Sequence, residues 1–329
     1  VSNKTWTWGL LSIFLVFCYF LFQFLSSTLK IDDLVRQMEQ SKAADKPIKH
    51  VVLIAQELDN PFWRTVEKGA KEAAVQLGMK IDYMGPIRIN PSEQTNLLEK
   101  SIAARPDAIL VQGIKEQKYD LLISKAIDQG IPVITVDADE PGSRRLAYVG
   151  TDNREAGKRM GELVVKDAGA KGHIGVIIGS ELADNQQLRL EGFRSVILNT
   201  PGFEIVAVRS SNISRIQAAR QTEAILNQYA SIQTIVGFSS LDAAGIVEGI
   251  KATNRADVRV FGFDDLEETK QGIAHGAIVA SVVQQPKEIG SKSVYLLEEF
   301  FRGQSFPVKH FTTTDILDGK HLKPIVSSR

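Results

Sequence analysis

HVVLIAQELDNPFW, residues 50–63, is the stretch on which the fold turns. Val51–Ala55 is apolar at successive positions, as a strand buried on both faces must be. After the polar turn QELD comes Asn60-Pro61. Pro suits a first helical turn because its missing N–H has no partner there anyway, and Asn before it accepts from one of the free amides. From Phe62 to Leu77 apolar or small residues recur at 62, 66, 69, 70, 73 and 77, which is helical spacing. The stretch therefore reads as one strand leading into one helix.

That unit repeats outward along the chain. KIDYMG, a helix from Ser92 to Ala104, DAILV, a helix near Gln117–Gln129 and PVITV continue it. LAYVG, a helix from Asn153 to Ala168 and HIGVIIG follow, then EIVAV, TIVGF, VRVFGF and AIVASVV with amphipathic segments between them. Alternating strands and helices, with strands that do not alternate polar and apolar, imply parallel sheets covered by helices on both faces. The 329 residues are enough for two lobes, since single cores stop growing at roughly 250–300 residues.

Composition narrows the function. Lys plus Arg equals Asp plus Glu at 39 each, so no excess of basic charge favours nucleic acid as a partner. The single cysteine, Cys18, forms no internal disulfide and no multi-cysteine metal site. No G-x-G-x-x-G follows the first strand, and neither a phosphate loop nor a G-x-S-x-G elbow occurs. The five histidines are scattered, and DADEPG lacks the alternating oxygen ligands of a calcium loop. Asp137 and Asp264 are conceivable as a glycosidase pair, but nothing in the sequence raises the pKa of either. The expectation is a non-enzyme with no cofactor and no metal.

Residues Gly9–Leu25, GLLSIFLVFCYFLFQFL, reach the length of a bilayer crossing once Trp6 and Trp8 are counted. A cleaved signal peptide has a shorter apolar region and small residues at its cleavage site; Ser26 and Thr28 match weakly. Residues 1–29 are therefore expected to be an uncleaved single-pass anchor. In 30–47, Ile31, Leu34, Val35 and Met38 share helical spacing, which suggests an amphipathic stalk. Basic residues after the apolar run outnumber those before it, and that count alone would keep the following domain in the cytoplasm.

In parallel α/β sheets ligands bind beyond the carboxyl ends of the strands. The residues there are Gln56 to Trp63, Asp137, Ser239 with Ser240, Asp264 and Gln284. They are polar hydrogen-bonding groups with aromatics among them, and they form neither a metal-ligand set nor a nucleophile with its base.

Residues from about 48 to 312 resemble the periplasmic sugar-binding proteins of the ribose-binding type, and the related ligand domains of sugar-responsive repressors. The resemblance rests on DNPFW (59–63), PVITVD (132–137), YVGTDN with EAG (148–157), RLEGF (189–193), GFDD (262–265) and VQQP (283–286). It implies an α/β fold of two doubly wound parallel-sheet lobes joined by a three-segment hinge, here preceded by the transmembrane helix. Lobe 1 would be 48–150 with 285–312, and lobe 2 would be 151–284 with 313–329. It also implies that Asn60, Phe62, Trp63, Asp137, Arg189, Asp264 and Gln284 contact a monosaccharide. Beside those roles stand plainer ones: a helix cap for Asn60, core packing for one of Phe62 and Trp63, a surface position for Arg189. Asp152 and Asp265 read as helix caps.

Departures from the pattern are Ala138 after Asp137, Ser239-Ser240 where Asn-Asp is common, and Ile213 at an aromatic position. Gln56, Ser239 and Asp242 are candidates for the replacement contacts, so the sugar need not be ribose. A repressor would need a helix-turn-helix where the apolar run lies. The resemblance outweighs the charge count and places the binding domain outside the cytoplasm, at the cell membrane. The sequence favours a sensory subunit acting on a membrane partner such as a histidine kinase, with an importer subunit serving an ABC permease as the alternative.

Overall fold

The computed structural model describes residue 8, residues 14–31 and residues 48–322. Most of the expected stalk, 32–47, and the tail 323–329 lie outside the described residues. The chain divides into two units between Ile48 and Lys49. In the first, helix α1 (Phe14–Ile31) is 18 residues long and apolar enough to cross a bilayer.

The second unit opens with β1 (Lys49–Ile54), α2 (Pro61–Leu77), β2 (Met79–Met84), α3 (Pro91–Ala104), β3 (Ala108–Val111), α4 (Gln117–Asp128), β4 (Val133–Val136) and β5 (Ala147–Thr151). It continues with α5 (Asn153–Ala168), β6 (Gly172–Ile178), α6 (Asp184–Ile197), β7 (Phe203–Ser210) and α7 (Arg215–Gln228). Then come β8 (Thr234–Gly237), α8 (Asp242–Ala252), β9 (Arg259–Phe263), α9 (Glu267–Ala274) and β10 (Ala280–Val283). The last elements are α10 (Pro286–Phe301), β11 (Lys309–Thr312) and β12 (Asp315–Asp318).

These strands form two six-stranded sheets, ordered β2-β1-β3-β4-β5-β11 and β7-β6-β8-β9-β10-β12. The first five strands of each follow one doubly wound order, so the second lobe repeats the architecture of the first. β3, β4 and β8 are buried at every position, as their unbroken apolar runs require. The chain passes between the sheets three times: from β5 to α5, from β10 to α10, and from β11 to β12.

The sheets are parallel as expected except at one edge, where β12 runs antiparallel to β10. The reason is the length of the third crossing. β11 runs parallel to β5 and so ends at the cleft, and only Thr313 and Thr314 separate it from β12. Two residues cannot carry the chain to the far end of the second sheet, since a parallel connection needs about a dozen or more. β12 must therefore start at the cleft and run away from it.

Helix contacts explain two of the sequence motifs. A β-carbon at Gly157 on α5 would collide with the carbonyl oxygen of Arg189 on α6, and one at Gly192 with that of Arg154. The glycines of EAG and RLEGF are thus the two halves of one close helix crossing. α2 and α10 repeat the arrangement through Gly69 and Gly290.

Candidate functional site

The carboxyl ends of the two sheets face each other across a small polar cavity. Gln56, Asn60, Phe62, Trp63, Asp137, Arg189, Ser239, Asp264 and Gln284 all line it, so the structure brings the nine residues singled out in the sequence to one place. Ser240 and Ile213 line it too, as do Asn185 and Gln186, which the sequence reading did not single out.

Asp137 and Asp264 occupy matching positions in the two lobes. Each directly follows a strand, β4 or β9, in the left-handed region, with φ of 65° and 63°. The Asp137 amide donates to Val149 on β5 at 3.0 Å, and the Asp264 amide donates to Val282 on β10 at 2.8 Å. Asp tolerates this conformation better than most residues because its short side chain can bond locally. The turn leaves each carboxylate at the cavity wall.

Asp137 Oδ2 accepts from Gln112 Nε2 at 3.1 Å and, across the cleft, from Asn185 Nδ2 at 3.0 Å. Burial pushes its pKa up, while Arg189 and the two amides oppose the rise. Asp264 Oδ1 accepts from the backbone and side-chain nitrogens of Gln284 at 3.2 and 3.1 Å. Burial raises its pKa to about 6, again opposed chiefly by Arg189.

Arg189 is far from the plain surface position it could have had; it is only 2% exposed. Its Nε donates to Asn153 Oδ1 at 2.8 Å, Nη1 to the Phe238 carbonyl at 2.7 Å and Nη2 to Gln284 Oε1 at 2.6 Å. The guanidinium also lies over the Phe263 ring, 4.4 Å from its centroid. Gln284 Oε1 accepts in addition from Thr151 Oγ1 at 2.9 Å. Arg189 and Gln284 therefore join the first two crossings between the lobes. A guanidinium has five N–H donors, which leaves two beyond the three bonded here. The Gln284 amide is engaged on both its oxygen and its nitrogen, which makes it a hinge tie as well as a wall residue.

Asn60 caps α2: its Oδ1 accepts from the Phe62 amide at 3.0 Å, and its Nδ2 donates to Glu57 Oε2 at 3.1 Å. Phe62 and Trp63 are both buried, correcting the expectation that one at most joins the core. Their rings meet edge to face at 6.0 Å between centroids, so both pack on the lobe 1 core and still border the cavity. Gln56 reaches the cavity with no side-chain hydrogen bond among the described residues.

Asp242 does not replace a lost contact. It is fully buried outside the cavity lining, accepting from Ser211 Oγ at 2.6 Å and from the Ser239 amide at 2.8 Å. Its role is to fix the turn after β8 so that Ser239 faces the cavity. Asp265 does not cap a helix either, since α9 starts only at Glu267 with Leu266 at the cap position. Asp152 caps α5 as expected, accepting from the Glu155 amide at 3.1 Å.

Two atoms of the wall are buried with no partner among the described residues: Asn185 Oδ1 and Ser239 Oγ. A buried polar atom left unbonded costs free energy, and the cost disappears when a ligand supplies the missing group. Together with the aspartates they make a wall rich in acceptors around one cation. Such a wall suits a neutral solute bearing several hydroxyl groups and rejects one carrying a phosphate or carboxylate. Among the described residues no cluster of His, Cys, Asp and Glu is arranged to hold a metal ion.

Three residues beyond Asp137, Glu140 faces Asp120 and Asp139 of its own lobe and Asp184 of the other. Burial first, then these like charges, raise its pKa from 4.5 to about 7. The folded state therefore holds the extra proton, and stability falls as pH rises through that window. Glu140→Gln is expected to match the parent near pH 4 and to exceed it by about 1–3 kcal/mol at pH 8. Urea unfolding at the two pH values measures this, and a constant difference would refute it.

Two α/β lobes closing on a polar cavity define a solute-binding protein of the cleft type. Residues 51–305 match the periplasmic binding protein domain, and the chain belongs to that family, among the type I sugar-binding proteins. GanP, a glucose-galactose binding protein from Geobacillus stearothermophilus, is 40% identical, with a TM-score of 0.82 over 84% of this chain and 99% of that one. The protein of the XylFII-LytSN complex is 30% identical, with a TM-score of 0.80 over 84% of this chain and 100% of that one. The ribose import binding protein of Haemophilus influenzae is 24% identical over 259 residues, 79% of this chain and 88% of the relative.

Proposed function

We propose that this chain is an extracytoplasmic binding subunit that closes on a neutral monosaccharide or related polyol and signals by closure to a membrane partner. The observation that carries the binding half is the set of acceptors from both lobes at one cavity. Asp137 comes from the first lobe, and Asp264, Asn185 and Ser239 come from the second. A ligand that bonds both sets favours the closed arrangement over the open one, which is all that closure by a small solute requires.

The signalling half rests on two supports. An apolar helix long enough to span a bilayer precedes the binding unit, consistent with an anchor that keeps it beside a partner. A similar protein is known in complex with LytSN. A histidine kinase is the partner this reading favours. The alternative, delivery to an ABC permease, is favoured by the likeness to ribose import binding proteins.

A thermal-shift panel of aldopentoses, aldohexoses and polyols tests the binding half, with a sugar phosphate and a uronate as anionic controls. One or a few neutral compounds should raise the melting temperature and the anions should not; no shift with any neutral compound overturns the reading. With the sugar so found, Asn185→Ala is expected to weaken affinity about tenfold, the worth of one hydrogen bond at the upper end of its range. Affinity purification from membranes separates the two partners. Recovery of permease subunits without a kinase would decide for the importer.

A further inference from the structure

Asp137 and Asn185 meet across the cleft at 3.0 Å, and acidic groups flank that bond from both lobes. Asp184, the first residue of α6, comes from lobe 2 and adjoins Asn185. Glu140 comes from lobe 1 and is only 7% exposed. Its Oε2 is buried with no hydrogen-bond partner, and Glu140 makes no ion pair among the described residues. A buried carboxylate so placed needs either a cation or a proton. The neighbouring Arg145 does not supply the charge, because Arg145 Nη2 donates to Asp139 Oδ2 at 2.6 Å.

The groups that face Glu140 come from three elements. α4 supplies Asp120 and the Tyr119 hydroxyl, its own turn supplies Asp139 and the Gly142 amide, and α6 supplies Asp184. A β-carbon at Gly142 would stand 3.4 Å from Asp120 Oδ2 and 3.5 Å from Glu140 Oε1, so those two carboxylates border one small space. Asp184 is the member that belongs to the other lobe. Burial raises its pKa, but Lys115 and Lys309 of lobe 1 oppose the rise. Closure thus sets an acid with two cations to hold its charge against one with none. We propose that closure of the lobes takes up a proton at Glu140, driven there by Asp184, so that sugar affinity falls as pH rises above neutrality. The affinity half rests on the binding reading above, whereas the closure half does not. Opening moves Asp184 away and wets the carboxylate, so the open form holds the proton less tightly than the closed one. Protons therefore favour the closed form, and that advantage is lost as pH rises through the closed form's pKa of about 7. Asp264 acts in the opposite sense, but at the lower pKa of about 6.

The experiment uses the full chain with Cys18→Ser as background and nitroxide labels at Ile87→Cys and Ile216→Cys. Both positions are exposed, and they follow β2 and β7, the sheet edges opposite the three crossings, where opening separates the lobes most. Without sugar, raising the pH from 6.5 to 8.5 should shift the distances between the labels towards the open form. With the sugar found above, Kd should weaken about threefold over the same window. Glu140→Gln is neutral at every pH, so it should flatten both profiles and bind about threefold more tightly than the parent at pH 8.5. Asp184→Asn keeps Glu140 and removes the charge from the other lobe, so it should lessen both responses. Distances independent of pH in the parent, a response that survives Glu140→Gln, or one unchanged by Asp184→Asn overturns the proposal while sugar binding stands. If no neutral sugar binds, the binding reading falls, and the label distances alone decide whether closure takes up the proton.

Discussion

Asp264→Ala is expected to abolish the sugar-dependent thermal shift, and Asp137→Ala to do the same, each through a loss of at least about 100-fold in affinity. A hydrogen bond to a charged group is worth about 1.5–3 kcal/mol, and a carboxylate that accepts from two neighbouring hydroxyls makes two of them. Every 1.4 kcal/mol is tenfold, so losing the pair exceeds 100-fold. Alanine fits poorly at a left-handed backbone position, so Asp264→Asn is the companion that isolates charge from strain.

The same carboxylate opposes folding of the empty protein. Its pKa is raised from 3.8 to about 6 by burial, so the folded state holds the extra proton, and stability falls as pH rises through that window. At pH 7 the ionised group costs up to about 3 kcal/mol. Asp264→Asn is thus expected to leave the empty protein as stable as the parent or more so at pH 7, while binding sugar far more weakly. For the parent, acidification from pH 7 to pH 5 should shrink the sugar-dependent shift, because the acceptor becomes protonated. Melting temperatures with and without sugar at both pH values read all of this. An Asp264→Asn variant that binds as tightly as the parent would place the sugar elsewhere.

How much of this was legible in the sequence depends on which residues are asked about. The strands announced themselves because parallel strands are buried on both faces and need unbroken apolar runs. Their exits then led to Asp137, Ser239, Asp264 and Gln284 by position alone. Arg189 lies inside a helix, where neither spacing nor composition separates a buried cation from a surface one; only the motif likeness singled it out. Asn185 and Gln186 follow the exit of β6, since SELADNQQ comes straight after HIGVIIG, but they lie in the first turn of α6 and not directly behind the strand. Asp242 and Ser239 are three residues apart and chemically alike as candidates. Which of them faces the cavity is settled by the Ser211 hydroxyl and the Ser239 amide, both of which hold the Asp242 carboxylate away from it. The direction of β12 was hidden for a related reason. It follows from where a two-residue crossing enters the second lobe, a fact about three-dimensional ends rather than about local propensity.

Arg189→Met is expected to lower the stability of the folded protein by about 3–5 kcal/mol, a larger loss than any other single change at the site. The methionine fills much of the same space and suits the neighbouring Phe263 ring, so the loss reports charge and hydrogen bonding rather than a cavity. Without the guanidinium, Asn153 Oδ1 and the Phe238 carbonyl lose buried donors, and Gln284 Oε1 keeps only Thr151. Asp137 and Asp264 lose the one cation that opposes the rise of their pKa values. Arg189→Lys should recover less than half of the loss. An ammonium is a compact point charge, and from one stem it cannot reach acceptors contributed by α5, by the turn after β8 and by the crossing after β10. Urea unfolding followed by circular dichroism gives the stabilities, and Met or Lys within about 1 kcal/mol of the parent would show the network to be dispensable. The two classes of variant then separate what the site does. Removing a carboxylate should cost binding and spare the fold, whereas removing the arginine should cost both. It is the one side chain at the cavity that holds acceptors on both sides of the hinge while opposing the burial cost of both carboxylates.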